Sequence, residues 1–145
     1  MAFVTDHVGL SVADLDRERA FYSEAFGLTE VEEEFALEEA HVRSTILRSP
    51  EGVKIELVER AGSAPQSYPG PYEGAAVQGY FHWALDVDDL DAVVAACVAA
   101  GATVVSAPAD AVRPGARFAY VHDPEGNLIE LIRPAGPSWL RSGAR

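Results

Sequence analysis

Apolar and polar positions alternate at the start of the chain, with Val8, Leu10 and Val12 on one side and His7, Gly9 and Ser11 on the other, so a half-buried strand is expected near 5–12. The period then lengthens. Leu15, Phe21, Tyr22, Ala25 and Phe26 supply a helical apolar face between Asp14, a good N-cap, and Gly27, a good C-terminal stop. Strand-like runs follow near 29–35, 40–48 and 53–59. The second half repeats the order. Trp83, Leu85 and Val87 alternate with His82, Ala84 and Asp86; Asp89 then precedes a helix bearing Leu90, Val93, Val94, Cys97 and Val98, closed by Gly101, with strands expected near 103–106, 116–122 and 127–133. Pro-Glu-Gly at 50–52 and 124–126 supplies the turn before the last strand of each half, Pro fixing φ and Gly permitting a positive φ.

The halves are one unit written twice. HVGLSVADL at 7–15 recurs as HWALDVDDL at 82–90, an offset of 82 − 7 = 75, and PEGVKIEL at 50–57 recurs as PEGNLIEL at 124–131, an offset of 130 − 56 = 74. The pattern predicts an α+β fold of two tandem βαβββ modules, spanning 1–60 and 80–134. A Gly-, Pro-, Ala- and Ser-rich linker at 61–79 joins them, and a loop-like tail follows at 135–145, with Trp139 a candidate anchor. The two modules are expected to form a curved, cup-shaped, eight-stranded sheet with the helices outside.

Alternation carries this to chemistry. Ile55 and Leu57 share a face and Glu56 points the other way, as Ile129 and Leu131 oppose Glu130, so the apolar faces should pack under the helices. His7, Glu56, His82 and Glu130 are then expected to face one hollow. Two neutral imidazoles and two carboxylates balance a divalent ion and leave room in an octahedron for two displaceable waters.

Composition narrows the partners. At 145 residues with a net charge of −12, the chain has no Lys/Arg cluster to meet a nucleic-acid backbone. No run approaches the ~20 apolar residues of a membrane span, and the expected setting is cytoplasmic. The single cysteine, Cys97, excludes disulfides within the chain and lies in a helical apolar stripe, where it is filler rather than nucleophile.

These motifs, together with AFY at 20–22, FGL at 26–28 and DPEGNLIEL at 123–131, resemble the vicinal oxygen chelate superfamily over nearly the whole chain, from Val4 to Pro134. Its members include glyoxalase I, methylmalonyl-CoA epimerase, extradiol dioxygenases, fosfomycin-resistance enzymes and bleomycin-binding proteins. The resemblance implies one divalent ion (Ni, Zn, Co, Mn or Fe) at His7, Glu56, His82 and Glu130, a small-molecule substrate and a homodimer, since modules in this superfamily pair within a chain or across two. The ligand set is most similar to that of glyoxalase I. That implies a lyase, isomerase or epimerase acting on vicinal oxygens through a metal-stabilised enediolate, with Glu56 or Glu130 also moving the proton. Two alternatives stand beside it: an extradiol-type Fe(II) dioxygenase using His7, His82 and Glu130, and a non-catalytic protein that sequesters a drug or metabolite.

Four residues are candidates for gripping substrate. Lys54 shares the Glu56 face and could hold an anion or neutralise carboxylates at the rim; Arg43 and Arg117 align at the 74-residue offset; His41 is expected to share a strand face with Arg43. His122, just before a turn, is expected to bond backbone groups. Glu59 is turned to the other face from Glu56 and is expected to be solvated.

Overall fold

The computed structural model describes residues 1–136, so the tail beyond Gly136, with Trp139, lies outside the described residues. The chain divides between Pro65 and Gln66 into two compact units.

The first unit contains β1 (Val8–Val12), α1 (Leu15–Phe26), β2 (Glu30–Leu37), β3 (Val42–Arg48) and β4 (Lys54–Arg60). Its sheet runs β1-β4-β3-β2, with β1 parallel to β4 and the other pairs antiparallel. The second contains α2 (Pro71–Gly74), β5 (His82–Asp86), α3 (Leu90–Ala99), β6 (Thr103–Asp110), β7 (Arg117–His122) and β8 (Leu128–Arg133), in the order β5-β8-β7-β6 with the same senses. Both units are therefore βαβββ. Hydrogen bonding groups the eight expected strands as two four-stranded sheets rather than one continuous ladder.

Local chemistry sets the helix ends as expected. Asp14 accepts from Arg17 N at 3.0 Å, Gly27 closes α1 in the left-handed region at φ 67°, and Asp89 accepts from Ala92 N at 3.0 Å. Helix α1 packs on β3 and β4, where Leu15, Phe21 and Tyr22 meet the sheet face carrying Leu47, Ile55 and Leu57, all at most 2% exposed. Helix α3 covers the equivalent face of the second sheet, burying Leu90 and Cys97 with Val121, Ile129 and Leu131. Each such side chain contributes roughly 1.5–3 kcal/mol by leaving water. Burial also pushes the Cys97 thiol up to about 11, which suits filler and not a nucleophile.

Two expectations need correction, and the linker gains detail. Strand β6 runs on to Asp110, past Pro108, because β6 lies at a sheet edge and its ladder to β7 is irregular between Ser106 and Ala109, where a residue without an N–H is tolerated. The linker contains the short helix α2, with Pro71 in its first turn. His41 belongs to no strand: it closes a 3₁₀ turn over Glu38–Ala40 at φ 52°, its N–H bonded to Glu38 O at 3.1 Å, and β3 begins after it.

Candidate functional site

In the first unit, register places Glu56 opposite Gly9 on β1, on the face away from α1. His7 immediately precedes β1 and reaches the same place, with Nε2 3.4 Å from Glu56 Oε2. Both side chains are anchored from behind. His7 Nδ1 bonds Asp6 Oδ2 at 2.8 Å; an ionised carboxylate only accepts, so the imidazole donates through Nδ1 and Nε2 is the nitrogen that faces Glu56. Lys54 Nζ holds Asp6 at 3.3 Å and Glu32 at 2.8 Å, while Ser44 Oγ donates to Glu56 Oε1 at 2.9 Å. The His7 bond, then Lys54, holds the Asp6 carboxyl below its usual range; the bond to Glu32 leads in raising the Lys54 ammonium.

The second unit repeats the pair in different surroundings. His82 opens β5, Glu130 faces Ala84 in register, and His82 Nε2 is 3.3 Å from Glu130 Oε2. Phe81 stands where the first unit has Asp6, its ring edge-on to His82 at 4.4 Å. Tyr120, the cross-strand partner of Glu130, stands on the same face as the carboxylate and lies 6.0 Å from the His82 ring, with Phe118 beyond it at 5.8 Å. Burial first, and Glu130 second, push the Tyr120 phenol up to about 12. His82 Nδ1 is buried and has no hydrogen-bond partner among the described residues.

In each unit the structure brings one expected His and one expected Glu together, and within neither unit do three His, Cys, Asp or Glu side chains among the described residues gather as a metal-holding group. Each pair nonetheless suits half of such a site. Imidazole nitrogen with carboxylate oxygen is a donor set for Zn, Ni, Co, Mn or Fe, and donors about 2.0–2.2 Å from one ion stand at most about 4.4 Å apart, which both separations satisfy.

The other candidates fall elsewhere. Arg43 lies on the helix side of its sheet, donating to its cross-strand partner Glu59 at 2.8 and 3.0 Å and reaching Asp16 at 3.5 Å. Arg117 likewise donates to Asp91, in the first turn of α3, at 2.7 Å. Glu59 is not a solvated acid: Oε2 accepts the Leu15 N–H at 2.9 Å, capping α1, and with Arg43 leading this pulls its carboxyl below the usual range. Lys54 does share the Glu56 face, committed to two acids. His41 is exposed, and His122 Nε2 meets Tyr68 O at 2.7 Å, the backbone role expected of it. Asp6, Ser44 and Tyr120 escaped the sequence pattern. Ser44 and Tyr120 emerge only when β3 and β7 are set in register beside the Glu-bearing strands, and Asp6 only when His7 is known to turn Nδ1 back along the chain.

Residues 5–131 match the model of the Glyoxalase/Bleomycin resistance protein/Dioxygenase superfamily. Among curated relatives, a Vibrio cholerae protein named as a probable lactoylglutathione lyase is 31% identical over 129 residues, covering 88% of each chain. The lactoylglutathione lyase of Arabidopsis thaliana is 29% identical over 134 residues, 91% of this chain. This chain spans only 44% of that plant protein and 44% of a Brassica oleracea protein carrying the same enzyme name. In fold it is similar to a glyoxalase family protein from Bacillus cereus (TM-score 0.75, 22% identity, 94% of this chain and 97% of that one). It is similar too to glyoxalase I from Zea mays (TM-score 0.67, 21% identity, 90% of this chain and 44% of that one).

Proposed function

Since the chain belongs to the Glyoxalase/Bleomycin resistance protein/Dioxygenase superfamily, we propose that it is a divalent-metal-dependent lyase or isomerase of the glyoxalase type. Its substrate is a small molecule with two adjacent oxygens, and the setting is cytoplasmic. The observation that carries this is the pair itself: His Nε2 and Glu Oε2 at 3.4 Å in one unit and 3.3 Å in the other, at positions equivalent in the repeat. In the first unit Asp6 takes up Nδ1, leaving Nε2 as the nitrogen turned towards Glu56.

His7, Glu56, His82 and Glu130 would hold the ion. Because each unit supplies two donors, the ion draws on both kinds of pair, within one chain or across two copies in a homodimer. A bound divalent ion would act as a Lewis acid on the substrate carbonyl and stabilise charge developing on its oxygen. The residues supply the proton chemistry. A carboxylate, Glu56 or Glu130, takes the proton from the C–H beside the carbonyl and returns it to the neighbouring carbon. Ser44 at Glu56 Oε1 leaves Oε2 free to do so. Phe81 and Phe118 limit water around the second pair.

The test is turnover of a glutathione hemithioacetal, and of free 2-hydroxy ketones, by protein stripped with chelator and reloaded with Ni, Zn, Co, Mn or Fe in turn. Activity that vanishes on stripping and returns with a divalent ion supports the proposal. Undiminished activity after verified removal defeats it. Oxygen consumption with catechols, restored by Fe(II) alone, would move the assignment to a dioxygenase.

A further inference from the structure

We infer that the two His–Glu pairs are unequal metal ligands and that Asp6, clamped by Lys54, is a positioning residue that makes the His7–Glu56 pair the tighter half. The inference rests on the metal assignment above and goes beyond it by ranking the halves and naming the cause.

Four side chains run in series: Glu32 to Lys54 at 2.8 Å, Lys54 to Asp6 at 3.3 Å, Asp6 to His7 at 2.8 Å. Asp6 itself is 72% exposed, and His7 33%. An ion pair so open to solvent contributes little to folding. What the series does accomplish is to fix the ring orientation, turning Nε2 on Glu56, whose other oxygen is occupied by Ser44. Carboxylate–imidazole support of this kind raises the basicity of the ligating nitrogen and prepays the cost of orienting it.

His82 has no such support. Phe81 replaces the carboxylate, His82 Nδ1 is buried with no hydrogen-bond partner among the described residues, and the ring is held by Glu130 at Nε2 and by aromatic edges. The ring therefore lacks the second anchor that Asp6 gives His7, and more of its orientation must be fixed when a metal binds. The second half therefore starts from a poorer ligand.

The experiment is Zn(II) and Co(II) affinity by competition with a chromophoric chelator, on the full chain, for wild type, Asp6→Ala, Asp6→Asn, His7→Ala and His82→Ala, each checked for unchanged metal-free thermal unfolding. Asp6→Ala is expected to weaken binding about 10–100-fold. Asp6→Asn retains an acceptor oxygen for Nδ1 without the charge, and falls between. His7→Ala should lose more affinity than His82→Ala. Wild-type affinity in Asp6→Ala, or losses in the two His variants that are equal or reversed, would overturn the inference while leaving the metal assignment standing. A wild-type chain that binds neither ion defeats both.

Discussion

The two units share a backbone and differ in what surrounds the same two side chains. Glu56 faces Gly9 and Glu130 faces Ala84 in matching parallel registers, so the placement of a carboxylate beside a histidine is a property of the repeated βαβββ topology. The surroundings are not repeated. Asp6 corresponds to Phe81, Ser44 to Phe118 and Ile46 to Tyr120, which gives one pair a hydrogen-bonded polar cradle and the other an aromatic one. The helix faces show the opposite balance: Arg43 and Arg117 are equivalent, and each reaches an acid at the second position of its helix, Asp16 or Asp91. The lesson is that core and helix-docking contacts repeat between the units, while the faces turned from the helices differ around a repeated His–Glu pair.

Substitution in equivalent places tests that contrast. Glu56→Gln and Glu130→Gln should produce the largest effects: whichever acid moves the proton loses about 10²–10⁴-fold in kcat, while the other variant loses chiefly bound metal. Falls below tenfold in both, with metal retained, would break the case for a carboxylate base. Leu57→Ala and Leu131→Ala, at fully buried equivalent positions, should each cost about 2–5 kcal/mol in urea unfolding, and a near-neutral result at either would show that the two cores are not equivalent. Ser44→Ala removes the hydrogen bond to Glu56 Oε1, an interaction contributing about 1.5–3 kcal/mol, and Tyr120→Phe removes the hydroxyl on the strand position paired with Glu130. Steady-state kinetics should show roughly tenfold losses in kcat/KM, with folding intact.

The smallest effect concerns Glu59, whose folded carboxyl is depressed below its ordinary value of 4.5 by Arg43 and the Leu15 N–H. A depressed folded value means the stabilisation is fully present above that ordinary value and is lost as pH falls through the lower folded value. Glu59→Gln should lower Tm at pH 7, by an amount corresponding to about 1 kcal/mol, and flatten the acid-side decline below pH ~4.5. An unchanged acid limb would remove Glu59 as a helix anchor.

Much of this could be read from residue pattern because period and punctuation agree. Asp14, Gly27 and Asp89 sit where α1 and α3 begin or end, and strict alternation put Ile55, Leu57, Ile129 and Leu131 under the helices, with Glu56 and Glu130 turned away. The failures have physical causes. Alternation says nothing about partners across strands, so it could not see that Glu59 faces Arg43 and lies under the N-terminus of α1, and both were assigned to solvent or substrate. His41 fits a strand by position, yet the 3₁₀ turn at Glu38–Ala40 forces it to positive φ. Pro108 argues for a stop, but an edge strand tolerates it. Ser44 and Tyr120 carry no signature in their own segments; their meaning comes from register with β4 and β8.

The most direct test of the central claim is the metal content of the intact protein purified without chelators, determined by elemental analysis for wild type and for His7→Ala with His82→Ala combined. A divalent transition metal that co-purifies with the folded wild type and is absent from the folded double variant is the predicted result. A wild type that stays metal-free after equilibration with micromolar Ni, Zn, Co, Mn and Fe, or a double variant that retains its ion, would contradict it.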